Sequence, residues 1–176
     1  MTKSSSLVTE LEGAVLSEIH HRAHDTAFQV RRAFQTSPSI EWSGSAGAVY
    51  PAIRRLTVAG LIEATPIPTG RRGIRLTLSL KGVAALEAWI CDPVRSASVG
   101  VDPFRLRAGL WDTLDNRART AALRGVKHAI DQELERLLAS LEVLDSVERT
   151  RTEWSIDLQR LRQRWLDDHL EQTAQP

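Results

Sequence analysis

The chain has 176 residues, a formal net charge of +1 and 42% hydrophobic residues. That length accommodates one domain or two small ones, and that composition is sufficient for a packed core. No uninterrupted apolar run approaches the ~18 residues that cross a membrane, and the N-terminus does not resemble a secretory signal. The single cysteine, Cys91, excludes an intrachain disulfide and is typical of a reducing compartment, so we expect a cytoplasmic protein.

The charges are distributed unevenly along the chain. Between Arg22 and Lys81 there are nine basic and three acidic residues, whereas from Cys91 onward there are thirteen basic and fifteen acidic ones. A basic N-terminal half and a near-neutral C-terminal half suggest different partners. We expect a domain at 1–91, a linker rich in Pro, Ser and Gly at 92–101, and a second domain at 102–176.

Capping residues and helical spacing predict two helices near the N-terminus. The first covers about 7–22, and Thr9 and Glu12 have capping-box spacing near its start; Thr26 and Gln29 form a second box at the start of the next helix.

Three histidines lie at the end of the first helix. The spacing of His20, His21 and His24 could suggest a metal site, but no fourth ligand is evident and a helix C-terminus favours histidine in any case. We therefore expect neither a metal nor a cofactor.

A third helix begins near Tyr50, follows serines suited to N-capping, and ends at Gly60, a residue typical of the position after a helix. Two strands at 61–65 and 74–78 enclose a glycine-flanked basic turn, and a fourth helix covers 80–91. This order predicts a winged helix, a helix-turn-helix followed by a β-hairpin.

The third helix and the wing provide the candidate DNA contacts, because two projecting basic elements suit a duplex groove and its flanking phosphates. Tyr50 is suited to a phosphate or sugar, and Arg54 or Arg55 to a base edge or a phosphate. The alternative is a solvated helix face. The candidates are Ser43, Ser45, Tyr50, Arg54, Arg55, Arg71, Arg72 and Arg75.

The C-terminal half reads as helical. A helix opens at Asp102 and Pro103 and ends near Leu114, and two long helices cover 116–148 and 151–170. The long helices resemble an antiparallel pair whose apolar stripe is too wide for a monomer, so we expect dimerisation. The residues expected at that interface are Leu123, Ile130, Leu134, Leu137, Leu141, Trp154, Leu158, Leu161 and Trp165.

One further motif is Ser45-Ala-Gly-Ala-Val-Tyr-Pro-Ala-Ile-Arg-Arg-Leu56 followed by Gly60-Leu-Ile62, and Leu78-Ser-Leu-Lys-Gly82 comes after the wing. With these motifs the sequence resembles the PadR family of transcriptional regulators. The resemblance covers roughly residues 7–90. It implies a winged helix in each subunit of a homodimer and binding to a palindromic operator. It also implies a repressor, often released by a small molecule.

The expected fold is therefore mainly α with a small β-hairpin, an N-terminal winged helix-turn-helix and a C-terminal antiparallel helical dimerisation domain. Trp89 and Trp111 flank the linker and are candidates for binding a small aromatic effector, although they could simply hold the two domains together. No nucleophile-elbow, P-loop, metalloprotease or dinucleotide motif is present, so we expect no enzymatic activity. The competing function is a winged-helix module that binds a protein instead of DNA.

Overall fold

The computed structural model describes residues 8–67 and 73–174. The chain divides into two compact units, Met1–Ser98 and Val99–Pro176. Within the described residues, no helix is both long enough and apolar enough to cross a membrane.

The first unit is a winged helix. Its described helices are α1 (Glu10–His21), α2 (Ala27–Gln35), α3 (Ile40–Gly44), α4 (Val49–Val58), α5 (Leu80–Ile90) and α6 (Pro93–Ser96), and its strands are β1 (Ile62–Pro66) and β2 (Ile74–Leu78). The strands pair antiparallel, with Ile62 opposite Leu78 and Pro66 opposite Ile74. This pairing forms the β-hairpin that the sequence predicts.

Both predicted capping boxes are confirmed. The Thr9 hydroxyl accepts from the Glu12 amide while the Glu12 carboxylate accepts from the Thr9 amide, and Thr26 and Gln29 repeat the arrangement at α2. Gly60 follows α4 with φ 70°, the left-handed conformation that glycine adopts without strain.

The predicted approach to α4 is wrong. Helical backbone begins already at Ile40, and a 3-10 turn (Ser45–Ala48) leads directly into α4, whose N-cap residue Ala48 makes no side-chain hydrogen bond. Ser43 and Ser45 consequently lie inside helical turns, where their hydroxyls donate to the carbonyls of Ile40 and Glu41 instead of capping α4.

The core of the first unit joins α1, α2, α4 and α5 to the hairpin. Its fully buried side chains include Leu16, Val30, Val49, Leu56, Ile62 and Leu86. Gly82 of α5 lies against the backbone, since a Cβ there would be 2.0 Å from the Leu61 carbonyl oxygen. An alanine at this position would push α5 away from the start of the hairpin.

The second unit is a helical pair preceded by a short helix. It contains α7 (Pro103–Ala108), α8 (Asn116–Ser140) and α9 (Ser146–Ala174). Lys127 pairs with Asp167, and Gln163 donates to Asp131, so α8 and α9 run antiparallel. Leu123, Ile130, Leu134 and Leu137 of α8 pack against Ile156 and Leu166 of α9.

Three predicted helix boundaries in the C-terminal half are wrong. The helix expected over 116–148 stops at Ser140, and the Asp145 carboxylate accepts from the amides of Val147 and Glu148 to begin α9. The helix expected to reach Leu114 ends at Ala108. The expected linker contains α6, capped by the Asp92 carboxylate.

Candidate nucleic-acid interface

Helix α4 has one buried face and one exposed face. Val49, Ala52, Ile53 and Leu56 are buried in the core of the first unit. The opposite face exposes Tyr50, Pro51, Arg54, Arg55 and Val58 and contains no acidic residue. The sequence therefore folds a cationic, acid-free helix surface onto the outside of the unit.

The exposed end of α4 is fixed to α5. Lys81 donates to the carbonyl of Ala59, and the Ser79 hydroxyl donates to the carbonyl of Gly60 while accepting from the Gly82 amide. These bonds satisfy carbonyls at a helix C-terminus and place a cation where the helix dipole favours one. The orientation of α4 is therefore set before any ligand binds.

The structure distinguishes the two arginines of α4. Arg54 is exposed, and among the described residues it has no hydrogen-bond or ion-pair partner. The Arg55 Nε atom donates to Glu12 Oε1 of α1 at 2.8 Å, although 57% of its side chain remains accessible. The sequence alone makes the two arginines equivalent candidates, whereas the fold makes them different.

The acceptor of Arg55 is a buried, fully engaged carboxylate. Besides Arg55, Glu12 accepts from the amide and hydroxyl of Thr9, each at 3.0 Å. Burial acts to raise the pKa of Glu12, but the hydrogen bonds from Thr9 and Arg55 outweigh it and hold the pKa below its ordinary value of 4.5. The Glu12 carboxylate therefore connects the start of α1 to the exposed face of α4.

Tyr50 lies on the other flank of α4, beside α2. Tyr50 is 46% exposed, and the guanidinium carbon of Arg31 lies 6.0 Å from its ring centroid. Sequence reasoning missed Arg31 as a candidate contact, although its spacing on α2, three residues before the buried Phe34 and next to the buried Val30, marks it as a flanking position. Arg31 adds a cation to the Tyr50 side of the surface.

Of the three candidate arginines on the wing, the structure describes only Arg75. Arg75 of β2 donates to the carboxylate of Asp25 at 3.0 Å, which ties the wing to the start of α2. Ile67 and Gly73 are joined by a backbone hydrogen bond at the end of the described hairpin. Arg71 and Arg72 lie outside the described residues, so their expected role at the wing tip stays a prediction.

The second unit separates the residues expected at a dimer interface into two groups. Leu123, Ile130, Leu134 and Leu137 are buried within the unit, and Leu141 and Trp165 are partly buried against the same core. On the outer face of α9, Trp154 is 69% and Leu161 54% exposed, with Leu158 half-buried between them. We call Trp154, Leu158 and Leu161, which share this face, the outer stripe; two of its three members are exposed.

The two candidate effector tryptophans are each packed within their own unit. The Trp89 indole packs directly on Gly13 of α1, where a Cβ would lie 2.3 Å from the ring. The indole Nε1 donates to Glu10 at 3.1 Å. Trp111 is 7% exposed and packs edge-on against Phe104. A flat ligand would therefore find little of the Trp111 ring surface free.

The histidines near the end of α1 have protein partners. His24 Nδ1 lies 2.8 Å from the Glu18 carboxylate, and the rings of His20 and His21 meet edge to face. No group of three or more potential metal ligands converges in the part of the chain that the structure describes.

Comparison with protein-family models gives no match, and neither does comparison with curated proteins. Solved structures do match. Bacillus subtilis PadR in complex with operator DNA is 18% identical with a TM-score of 0.72 and covers 94% of this chain and 99% of its own. The same protein with p-coumaric acid is 17% identical, with a TM-score of 0.71, and covers 100% and 99%. A PadR-like regulator from Bacillus cereus is 15% identical, with a TM-score of 0.69, and covers 96% and 99%.

The chain has the fold of the PadR-like transcriptional regulators. The likeness extends over nearly the whole length of both chains, so it includes the helical second unit as well as the winged helix. The predicted fold class and the predicted resemblance to PadR are confirmed at the level of the fold.

Proposed function

We propose that this protein is a transcriptional regulator that binds double-stranded DNA with the exposed face of α4 in the major groove. The observation that supports this most directly is the acid-free face of α4, where Arg54 and Arg55 are accessible and Tyr50 has Arg31 beside it. The helix is held by bonds on its other sides, so the contacts require little rearrangement. The operator complex of the Bacillus subtilis protein supports the same use of this fold.

We infer that the protein acts as a homodimer on a palindromic operator. The outer stripe of α9 exposes Trp154 and Leu161 on one helix face, and large exposed apolar side chains at helical spacing are typical of an interface. A two-fold dimer presents two α4 helices to two half-sites, and such a protein reads a palindrome. Repression then follows from occupancy of the operator.

We further propose that the protein binds a small aromatic effector. The Bacillus subtilis complex with p-coumaric acid supports the binding of a planar aromatic acid by this fold. Trp89 is the better candidate of the two tryptophans, because Trp111 is buried. Tryptophan quenching by planar aromatic acids, compared between wild type, Trp89→Phe and Trp111→Phe, tests it. Quenching that is unchanged in both variants would remove both residues from the effector site.

DNA binding is tested by its salt dependence. Genomic fragments retained by the protein supply the duplex, and fluorescence anisotropy gives its affinity between 50 and 200 mM salt. We expect the logarithm of the affinity to fall linearly with the logarithm of the salt concentration, by about 0.9 per phosphate contact. The double substitution Arg54→Ala/Arg71→Ala should weaken binding and flatten that slope.

The matched control is Arg124→Ala, which removes one exposed cation from α8 in the second unit. It should leave the affinity and the slope unchanged. If wild type and the double variant bind the duplex equally well, the proposed docking is wrong. If the protein retains no genomic fragment and instead captures a protein partner on the same α4 face, the result favours the protein-interaction module.

A further inference from the structure

Arg54 differs from the other polar residues of α4 in direction and in bonding. Pro51, Arg54 and Val58 are spaced by three and four residues and form the outermost ridge of the helix, opposite the buried Ile53 and Leu56. Pro51 and Val58 have no side-chain hydrogen-bond donor. Arg54 is therefore the residue of this ridge whose side chain can donate to a base.

The polar residues beside the ridge are directed elsewhere. Arg55 lies on the α1 flank with its Nε held by Glu12, and Tyr50 lies on the α2 flank beside Arg31. Thr57 donates its hydroxyl to the carbonyl of Ile53 in its own helix. When a helix enters the major groove, its outermost ridge faces the base edges and its flanks face the two phosphate backbones.

We infer that Arg54 determines the base sequence that this protein selects, by donating two parallel hydrogen bonds to O6 and N7 of a guanine. A guanidinium with no partner on the protein keeps its planar fork for that pair of acceptors, which only guanine presents side by side in the major groove. Arg55 contacts the phosphate backbone and does not discriminate bases. This inference rests on the proposed DNA binding and specifies how it is made selective.

The other two ridge residues, Pro51 and Val58, predict which base pairs lie beside that guanine. Val58 is 83% exposed, and Pro51 is exposed one turn before Arg54. Apolar groups in the major groove find one favourable base feature, the thymine methyl group. Each half-site should therefore contain one guanine selected by Arg54, flanked by A·T pairs.

Selection from a random DNA library, followed by competition binding, tests this with the full-length chain. Wild type should enrich a half-site with one guanine and prefer it over the other bases at that position by roughly 10-fold or more. Arg54→Ala should reduce that preference to within about 3-fold, because the paired donors are gone. The matched control Arg55→Ala should weaken binding to all four duplexes equally and leave the preference intact.

The variants also separate specificity from folding. Arg54→Ala removes no contact within the described structure, so its thermal unfolding should match that of wild type. Should Arg55→Ala unfold, Arg55→Lys retains a donor for Glu12 and replaces it as the control. The inference is overturned if Arg54→Ala keeps the full guanine preference, or if the folded Arg55 variant loses it. If wild type itself enriches no sequence, the proposed function is overturned. That outcome is distinguishable from failure of the Arg54 inference alone.

Discussion

Arg54 and Arg55 are adjacent in α4 but differ in their environments. Arg55 is bonded to a buried carboxylate on α1, whereas Arg54 projects from the helix without a partner among the described residues. The Arg55–Glu12 bond joins residues 43 positions apart, so it contributes to the packing of α4 on α1. Arg55, which is predicted to contact DNA, is therefore also a structural contact.

The contribution of Glu12 to stability should depend on pH. Its pKa in the folded protein is below the ordinary 4.5, so the stabilisation is complete above that value and is lost as the pH falls through the folded pKa. Glu12→Gln should lower the free energy of unfolding by about 1 kcal/mol at pH 7, since half of the Arg55 side chain is solvated. The difference between wild type and variant should shrink as the pH falls below 4.5 and the Glu12 carboxylate becomes protonated.

Urea unfolding at pH 7, 5 and 3 measures this difference. Glu63→Gln, which removes an exposed carboxylate from β1, is the matched control and should change the stability little at any of these values. A Glu12→Gln variant as stable as wild type at pH 7 would show that the bond to Arg55 contributes nothing measurable.

At the scale of the elements, α9 has two apolar faces with different uses. Ile156 and Leu166 are buried against α8, whereas Trp154 and Leu161 are exposed on another side of the same helix. The four predicted interface residues on α8 are inside the unit, so a charge there would unfold the helical pair before it affected any dimer.

Substitution on the two faces should have different effects. Trp154→Glu places a charge on the outer stripe and should produce a folded monomer with wild-type helicity. Leu137→Asp, on the buried face of α8 that packs against α9, should instead lose helicity, since an unpaired buried charge costs several kcal/mol. Light scattering and circular dichroism measure the two effects. A Trp154→Glu variant that stays dimeric would move the interface off the outer stripe.

Some elements could be predicted from the sequence because their determinants are local. Thr9 with Glu12 and Thr26 with Gln29 bond across three residues, so spacing alone identifies both helix starts. Helix α3 is five residues long and too short for a hydrophobic period. Its presence turned the serines before α4 into helix-interior residues, which local pattern reasoning did not anticipate.

The sequence predicts which helix carries the candidate site, but it does not predict the hydrogen bonds that the side chains of that helix make. The basic pattern of α4 and its apolar period identify an exposed cationic helix. Which arginine is free depends on α1, because Glu12 reaches Arg55 only in the folded chain. The same holds for α9: the sequence predicts one apolar stripe from Trp154 to Trp165, whereas α8 packs against Ile156 and Leu166 on another side of the helix.

At the scale of the whole molecule, the two units allow DNA contact and dimerisation to be tested separately. The first unit extends to Ser98, because the Asp92 carboxylate caps α6 and Arg95 donates to the carbonyl of Val8. A cut at Asp92 would remove those bonds. Ser98 is therefore the better place to end the first unit.

A chain ending at Ser98 should fold and remain monomeric, because the outer stripe lies in the second unit. Its affinity for a palindromic operator should fall by several orders of magnitude, since two linked half-site contacts are replaced by one. Light scattering and anisotropy measure both properties, and binding to an isolated half-site should match that of full-length Trp154→Glu. A stable dimer of the shortened chain would place the interface in the winged helix.

The separation of Arg54 from Arg55 has a consequence for how such a regulator changes over evolutionary time. If the base-selecting side chain supports nothing in the fold, it can be exchanged without loss of stability, while the neighbouring arginine keeps the helix in place. After gene duplication, one codon could then direct the two copies to different promoters. The same position is the first choice for engineering a copy of this protein that ignores its natural operator.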